Sequence, residues 1–488
     1  MPVPSVPRRA RQKPNIVWVM CDQLRWDALG CTGTGYVHTP NIDALARRGV
    51  VLRNAYCASP VCSPARASWL SGLYPHATGQ LVNYGPRRAD RPGCRMREDV
   101  VTIADVLAAD GYRCANAGVW HLGDDEHPQH GFDDGWITYR YHRDPNDPLM
   151  RYFADCGVAN PYRHGAPEVQ RYGPNTLPFG TIADPRQQRT TWTVDRAIEM
   201  LDDLAGAPFF LLCGVKDPHP EMMVMPELLA RYPEDEVPLP ATRHDPLHGK
   251  PRYQQHAKFR IPPGTLDDRS YRRMLAHYYA LVTHVDAEMG RLLGHLRRLG
   301  VAHDTVVVFS SDHGEMLGDH GFVEKCLMYE ESVRVPCILA WPGGLPGGGE
   351  VHCPVGGVDL MPTLLELAGA PVPAPLDGRS LAAALRRGAE PKPAPVLAEI
   401  AAIAGEEAMD HSNLAPDQLA AHVMMREGHW KYVRNRHDID ELYHLGDDPH
   451  EMHNLADAAE HAGRVHEMQR RIAAMVRTTG PGRYAWCA

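Results

Sequence analysis

Residues 15–20 read Asn-Ile-Val-Trp-Val-Met, an apolar run of the length of one strand. A continuous apolar run is typical of a strand that is buried on both faces, as in a parallel sheet. Further strands are predicted at 113–117, 208–213 and 305–310. Helices are predicted between them at 102–110, 190–204 and 271–299. This alternation predicts an α/β fold with a large, mostly parallel sheet flanked by helices.

The pattern changes along the chain, which predicts its division into parts. After about residue 380, short strands are predicted at 422–425 and 429–433, followed by a helix over 458–475. We therefore expect an N-terminal extension (1–13), a large α/β domain (14–380) and a small C-terminal α+β subdomain (381–488). Two stretches rich in Pro, Arg, His and Tyr, 140–185 and 219–265, interrupt the large domain and are interpreted as lids over a substrate pocket.

Composition excludes several classes of protein. The 488 residues are 44% hydrophobic and 23% charged, as in soluble globular enzymes, and the net charge of −9 gives no support for a nucleic-acid groove or an anionic membrane surface. No run reaches the roughly 18 apolar residues of a membrane helix, and the first nine residues lack the apolar core of a secretory signal. The 12 cysteines contain no Cys-x-x-Cys pair, so we expect a reduced, cytoplasmic protein.

Residues 62–72, Cys-Ser-Pro-Ala-Arg-Ala-Ser-Trp-Leu-Ser-Gly, predict a reactive cysteine at the start of a helix. Proline is favoured at the first helical position, so we expect a helix that begins at Pro64 and ends at Gly72. Cys62 would then lie at the positive end of the helix dipole, and Arg66 one turn further adds a fixed charge. This setting suits an ionised nucleophile and an oxyanion substrate.

Other polar residues follow the predicted strands, at the sheet edge where α/β proteins bind ligands. An Asp-His pair at the end of a buried strand offers a hard oxygen and an imidazole to one metal ion. The residues that follow strands in this way are Asp22, Gln23, His121, Lys216, His219, Asp312 and His313, and Lys325 comes shortly after the last pair.

Cys62, Pro64 and Arg66, followed by Leu-Ser-Gly, resemble the signature of the sulfatase family in the alkaline phosphatase superfamily. The resemblance extends over residues 14–480 and implies that a formylglycine-generating enzyme oxidises Cys62 to formylglycine, an aldehyde whose hydrate is the nucleophile. It also implies an alkaline phosphatase-like sheet, and a C-terminal subdomain with an antiparallel sheet and a closing helix. Ala65 and Ser71 depart from the commonest serine and threonine of the signature.

The same resemblance implies one divalent cation. Its ligands would be Asp22, Gln23, Asp312, His313 and the oxygen of modified Cys62. Gln23 stands where the family usually has a second aspartate, a feature that is similar to the phosphonate monoester hydrolases. The family favours Ca²⁺; the residues alone leave Mn²⁺ and Mg²⁺ open.

The resemblance also implies catalytic roles. His121 would bond to formylglycine and later take its proton, His219 would face the leaving-group oxygen, and Lys325 would contact both the sulfate and that oxygen. Arg66 and Lys325 would share the charge on the sulfuryl oxygens. The family's other lysine is Val119 here, and we hypothesise that Lys216 supplies the missing charge.

Three functions remain open at this point. The first is hydrolysis of a small-molecule sulfate ester through a covalent sulfo-enzyme intermediate. The second is hydrolysis of phosphonate monoesters or phosphodiesters on the same scaffold, favoured by Gln23 and Val119. The third is a metal-binding homologue without turnover. The alcohol part of the substrate and the oligomeric state stay open.

Overall fold

The computed structural model describes the chain from residue 13 to residue 479 with gaps. The described residues are 13–33, 35–84, 93–123, 127, 129–137, 145–162, 169–172, 176–255, 259–400 and 421–479. The predicted N-terminal extension therefore lies outside the described residues except for Lys13. Across the described ranges, no helix has both the length and the apolar character needed to cross a membrane.

The strands are short except for three long ones in the centre of the large domain. They are β1 (Asn15–Asp22), β2 (Val50–Leu52), β3 (Ala55–Tyr56), β4 (Arg113–Gly118), β5 (Asp134–Ile137), β6 (Val169–Gln170), β7 (Phe179–Thr181), β8 (Phe209–Pro218), β9 (Met222–Val224), β10 (Thr305–Ser311), β11 (Arg334–Val335), β12 (Cys337–Ala340), β13 (Gly349–Val351), β14 (Val355–Gly356), β15 (Val396–Ile400), β16 (His422–Glu427), β17 (Trp430–Asn435) and β18 (Glu441–His444).

The helices range from single turns to the 31 residues of α9. They are α1 (Pro40–Arg48), α2 (Cys62–Ser71), α3 (Pro75–Thr78), α4 (Ile103–Ala109), α5 (Pro148–Asp155), α6 (Arg189–Leu204), α7 (Pro226–Leu229), α8 (Arg252–Gln255), α9 (Asp268–Arg298), α10 (Glu330–Val333), α11 (Leu360–Ala368), α12 (Ala382–Arg386) and α13 (Ala462–Thr479).

The large sheet confirms the predicted fold class. Within the described residues its strand order is β13-β2-β12-β10-β1-β8-β4-β5. The run from β10 to β5 is parallel throughout, whereas β12 is antiparallel to both β10 and β2. Every residue of β1 is buried, as its uninterrupted apolar sequence predicts for a central strand with both faces covered.

Two layers of helices cover this sheet. Alternate residues of β1 enter different cores: Trp18 packs with residues of α2, α4 and α11, whereas Val17 and Val19 pack with residues of α1, α6 and α9. Side chains of a strand alternate between the faces, so one buried strand anchors both layers. The sheet is therefore a rigid frame whose strand ends can hold a site.

The C-terminal part confirms the predicted antiparallel sheet, ordered β15-β16-β17-β18. The closing helix packs on it through Met468, Ile472 and Val476. This helix begins at Ala462, later than predicted, because a 3₁₀ turn occupies residues 459–461.

A buried ionic cluster around Glu330 of α10 joins this sheet to the large domain. Glu330 lies 3.1 Å from Lys431 Nζ and 3.2 Å from Arg426 Nη1, both on the C-terminal sheet, and 3.9 Å from Arg334 Nη1. Burial raises the pKa of Glu330, but these cations outweigh it and lower the pKa to about 2. The carboxylate is therefore ionised and holds the two parts together.

The two interrupting stretches carry regular structure of their own where they are described. Strands β6, β7 and β9 form a three-stranded sheet, and α5 buries Leu149 and Phe153 against Trp192. Residues 140–144, 163–168, 173–175 and 256–258 of the predicted lids lie outside the described residues. Their action as lids stays a prediction.

Candidate active site

Four strands of the large sheet deliver side chains to one edge. In the parallel register, Cys21 pairs with Ser311 of β10 and Val215 of β8, and Gly118 of β4 pairs with Gly214. Parallel strands have their carboxyl ends at the same edge. The register therefore brings together the residues that follow these positions: Asp22, Asp312, Lys216 and Val119.

Helix α2 brings Cys62 to this edge. The helix begins at Cys62, two residues before the predicted start at Pro64, and ends at Gly72, whose φ of 70° is left-handed. The prediction of the start was wrong because the first backbone N–H groups of a helix have no intrahelical acceptor, so proline is tolerated at the third position too. All ten residues of α2 are buried, and Cys62 Sγ lies 3.1 Å from His313 Nε2 and 3.7 Å from Asp22 Oδ1.

Four side chains form a compact group that fits a metal ion. One ligand atom each of Asp22, Cys62, Asp312 and His313 lies within 4.8 Å of the others, and all four residues are buried. His313 donates from Nδ1 to the Gly314 carbonyl at 2.9 Å, which leaves Nε2 as the nitrogen that faces the group. If residue 62 is formylglycine, its oxygen takes the place of Sγ, and this mainly oxygen set suits a hard divalent cation.

Gln23 lies beside this group in a fixed orientation. Its Oε1 accepts a hydrogen bond from Lys325 Nζ, and its Nε2 donates to Glu315 and, at 3.1 Å, to Glu324. Burial and the neighbouring Glu324 raise the pKa of Glu315 to about 7. Sequence reasoning missed both glutamates because they belong to the loop after β10, where no periodic pattern marks them.

Arg66 contacts the carboxylates of the metal group. Its Nε donates to Asp312 Oδ2 at 2.9 Å, and its Nη2 lies 3.5 Å from Asp22 Oδ2. Burial and Asp22 raise the pKa of the Cys62 thiol to about 12, against the smaller opposing effect of Lys325. The expectation of an ionised nucleophile is therefore wrong for the thiol itself: desolvation and a nearby carboxylate outweigh the helix dipole and the guanidinium.

Lys216, the lysine hypothesised to supply the charge that Val119 lacks, lies among the site residues. Strands β4 and β8 approach so closely that a Cβ on Gly214 would be 2.3 Å from the Val119 carbonyl oxygen. Lys216 lies two residues after Gly214 on β8. The residue is only 5% exposed, and its Nζ lies 2.9 Å from Asp22 Oδ2. Burial raises the pKa of Asp22, but Lys216, His219 and Arg66 together bring it well below its usual range.

His121 and His219 each have one ring nitrogen that can accept a proton in the neutral form. His121 donates from Nε2 to the Tyr84 carbonyl at 3.1 Å, and His219 donates from Nδ1 to the Pro220 carbonyl at 2.6 Å. Burial and then Lys216 lower the pKa of both rings well below the usual value, so both are neutral at pH 7. The acceptor nitrogens are accordingly Nδ1 of His121 and Nε2 of His219.

Lys325 keeps its proton although it is buried. Burial lowers its pKa, but Cys62, Glu324 and Asp22 outweigh this effect and raise the pKa well above the usual value. Its Nζ lies 3.3 Å from Glu324 Oε2 in addition to its bond with Gln23. Lys325 is therefore a charged donor next to the metal group.

Asn83 is a further residue of the site that sequence reasoning missed. Its Nδ2 lies 4.0 Å from Cys62 Sγ, and its Oδ1 accepts from the backbone N–H of Ser63 at 3.0 Å. Tyr84 N also donates to Ser63 Oγ at 3.0 Å, so this segment crosses the start of α2. An asparagine in a loop indicates a turn, and no strand precedes it to mark a site.

Comparison with known proteins gives this arrangement a family context. The sequence profile of the sulfatase family matches residues 14–370, and that of the C-terminal part of N-sulphoglucosamine sulphohydrolase matches residues 318–478. The choline-sulfatase of Rhizobium meliloti is 30% identical over 461 residues, which cover 91% of this chain and 83% of that protein. The N-acetylglucosamine-6-O-sulfatase of Bacteroides thetaiotaomicron is 25% identical over 517 residues, with coverages of 94% and 85%.

A solved structure shows the same fold. The phosphonate monoester hydrolase SpPMH from Silicibacter pomeroyi superposes with a TM-score of 0.80 at 23% identity, over 97% of each chain.

Proposed function

This chain belongs to the sulfatase family and is a sulfuric ester hydrolase, and we propose that its nucleophile is formylglycine made from Cys62. The observation that carries the proposal is the position of Cys62. It is the first residue of a buried helix, and its Sγ lies among Asp22, Asp312 and His313. An oxygen at this position, as formylglycine provides, would complete a mainly oxygen ligand set beside the two aspartates and the histidine.

We propose one divalent cation, held by Asp22, Gln23, Asp312, His313 and the oxygen of modified residue 62. Ca²⁺ is the first choice because the family resemblance favours it, and Mn²⁺ or Mg²⁺ are the alternatives because a set of oxygens with one imidazole suits them as well. When bound, such an ion lowers the pKa of a hydroxyl in its coordination sphere and neutralises charge on the substrate. Arg66 would hold the carboxylates in place, since it contacts both aspartates.

The first chemical step is the transfer of the sulfuryl group to residue 62. One hydroxyl of the hydrated aldehyde, ionised with release of its proton to water, attacks sulfur through its oxygen, and the bond between sulfur and the alcohol oxygen breaks. Lys325 stabilises or protonates the departing oxygen, because it is the charged donor in the site. Burial and Lys216 lower the pKa of His219 and keep it neutral at pH 7; the negative charge of a bound substrate would raise this pKa and let His219 share the role.

The second step restores the aldehyde. The other hydroxyl of the hydrate gives its proton to His121, the carbon–oxygen double bond forms, and sulfate leaves. A neutral His121 whose Nε2 donates to Tyr84 presents Nδ1 as the acceptor that this step needs. Water then hydrates the aldehyde again.

Lys216 would replace the family lysine that is absent at Val119. It reaches the site from β8, the strand next to β4, and carries its charge to Asp22. We propose that this charge also lowers the energy of the sulfuryl oxygens in the transition state.

Hydrolysis of phosphonate monoesters or phosphodiesters is the second candidate. Gln23 supports it through the resemblance seen in the sequence, where a neutral residue at this position is similar to the phosphonate monoester hydrolases. Initial rates on an aryl sulfate and an aryl phosphodiester, measured side by side, discriminate the two: the proposal expects the higher kcat/KM on the sulfate.

Trapping tests the covalent step. Serine at position 62 has one hydroxyl, so it can accept a sulfuryl group but cannot expel it by forming a carbonyl. A C62S variant incubated with an aryl sulfate is expected to release at most one aryl alcohol per chain and to keep the sulfuryl group on peptide 54–66. Continuous turnover by C62S would contradict the proposal.

A further inference from the structure

The side chain of Gln23 is held by two glutamates, which gives them a function in the metal site. We propose that Glu315 and Glu324 are positioning residues that direct the Gln23 amide oxygen to the metal and exclude a carboxylate from position 23. The inference rests on the proposed function, because it takes Gln23 as a ligand of the catalytic cation.

The hydrogen bonds of Gln23 allow one orientation of the amide. Nε2 donates to an oxygen of Glu315 and to Glu324 Oε2, while Oε1 accepts from Lys325 Nζ. A rotation of the amide by half a turn would place Oε1 against the two carboxyl groups and Nε2 against an ammonium group. Each of the three contacts would then be lost, at a buried position where an unpaired polar group is costly.

The groups that hold the amide are themselves fixed. Glu315 is fully buried, and its second oxygen accepts from the backbone N–H groups of Leu317, at 3.0 Å, and of Glu324. The backbone of Gln23 is fixed as well: its N–H donates to Asp312 Oδ1 at 3.1 Å, and its carbonyl accepts from Tyr278 Oη at 2.7 Å. Both ends of the contact therefore belong to rigid segments.

In this arrangement the carboxyl groups of Glu315 and Glu324 contact the proposed ligand Gln23 and are not themselves proposed as metal ligands. Asp22 and Asp312 supply the two carboxylates of the proposed ligand set, whereas Glu315 and Glu324 contact the amide nitrogen of Gln23, whose oxygen is the proposed neutral ligand. A carboxylate at position 23 would meet two others at hydrogen-bonding distance, and like charges so close disfavour one another in a buried site. Glutamine at position 23 and the two glutamates thus require each other.

A set of isosteric variants tests this dependence through calcium affinity, measured by calorimetry on purified protein. Q23E and E315Q are each expected to weaken Ca²⁺ binding by roughly 10–100-fold, the usual cost of disturbing the groups behind a metal ligand. The double variant Q23E/E315Q exchanges amide and carboxyl and is expected to bind Ca²⁺ more tightly than Q23E. E324Q provides a second glutamate variant at a less buried position.

A matched control distinguishes a loss of Ca²⁺ affinity caused by misplacing Gln23 from one caused by a general loss of folding stability. Gln254 Nε2 of α8 donates at 2.7 Å to the buried carboxyl of Glu441, which belongs to β18 of the C-terminal sheet. E441Q removes a similar buried contact, so it is expected to lower the melting temperature and to leave the Ca²⁺ affinity unchanged.

The outcomes distinguish the inference from the proposed function. Equal or tighter Ca²⁺ binding by Q23E, or a double variant no better than Q23E, overturns the inference while the metal site stands. Wild-type protein that binds none of Ca²⁺, Mn²⁺ and Mg²⁺ overturns both. Weaker binding in Q23E with recovery in the double variant supports the inference.

Discussion

Replacing Lys216 with methionine removes the ammonium group that contacts Asp22 and keeps most of the side-chain volume. In the structure the two charged atoms are 2.9 Å apart, and both side chains are almost fully buried. Breaking a buried pair in this way costs about 3–5 kcal/mol of stability. Arg66 still lies 3.5 Å from the same carboxylate, so we expect a loss near the lower end, about 3 kcal/mol.

The same substitution is expected to slow turnover. If Lys216 takes the role of the lysine that the family has at Val119, loss of one charged donor lowers kcat by roughly 10²–10³-fold. The assay is the initial rate on an aryl sulfate, together with thermal melting of each variant. K250M is the control: Lys250 is another buried lysine, 3.2 Å from Asp245, and its loss should lower stability while kcat is retained.

The double variant K216M/V119K gives the sharpest test of the replacement. It returns a lysine to the family position, directly after β4, the strand next to β8, and should recover part of the lost kcat. K216M with unchanged kcat would refute the reasoning, and so would an equal loss of kcat in K250M.

Three other predictions follow from the geometry. H121N should slow release of sulfate by roughly 10²–10⁴-fold and turn steady hydrolysis of an aryl sulfate into a burst of one alcohol per chain, whereas an unchanged linear time course would contradict the role of His121. Treatment with a chelator should abolish activity and lower the melting temperature. Adding Ca²⁺ back at 100 times its Kd should restore about 2.7 kcal/mol to the free energy of unfolding. Full activity after verified metal removal would exclude a metal-dependent step. Burial lowers the pKa of His277 and of His422 to about 4. As the pH falls below about 6.5, these histidines therefore take up protons in the unfolded chain before they do so in the folded one. The free energy of unfolding should decrease from there down to about pH 4, by about 1.4 kcal/mol per pH unit for each histidine. Urea unfolding at pH 7, 6 and 5 checks the sign, and H277Q should flatten the slope.

The sequence was sufficient to predict the large sheet and the residues at its carboxyl edge, because the pattern of apolar residues along the chain indicates which strands are buried. The apolar run of β1 predicts a central strand, and residues that directly follow such strands must lie at the carboxyl edge. Asp22, Asp312, His313 and Lys216 were found in this way, and the structure brings them together.

Contacts between loops could not be predicted, because nothing in a local pattern specifies a distant partner. Glu315 and Glu324 reach Gln23 across about 300 positions of sequence, and Asn83 reaches Cys62 from a loop. The ionisation of Cys62 was mispredicted for a related reason. The helix start and Arg66 are visible in the sequence, but the burial of the thiol and its closeness to Asp22 arise only in the folded chain.

The chemical state of residue 62 is the central claim, and the mass of tryptic peptide Asn54–Arg66 from active enzyme tests it most directly. The same peptide contains Cys57, a buried cysteine outside the metal group, which should remain a thiol and serves as an internal reference. We expect fragment masses that locate an aldehyde, lighter than cysteine, at position 62 alone. An intact thiol at position 62 in fully active enzyme would contradict the account.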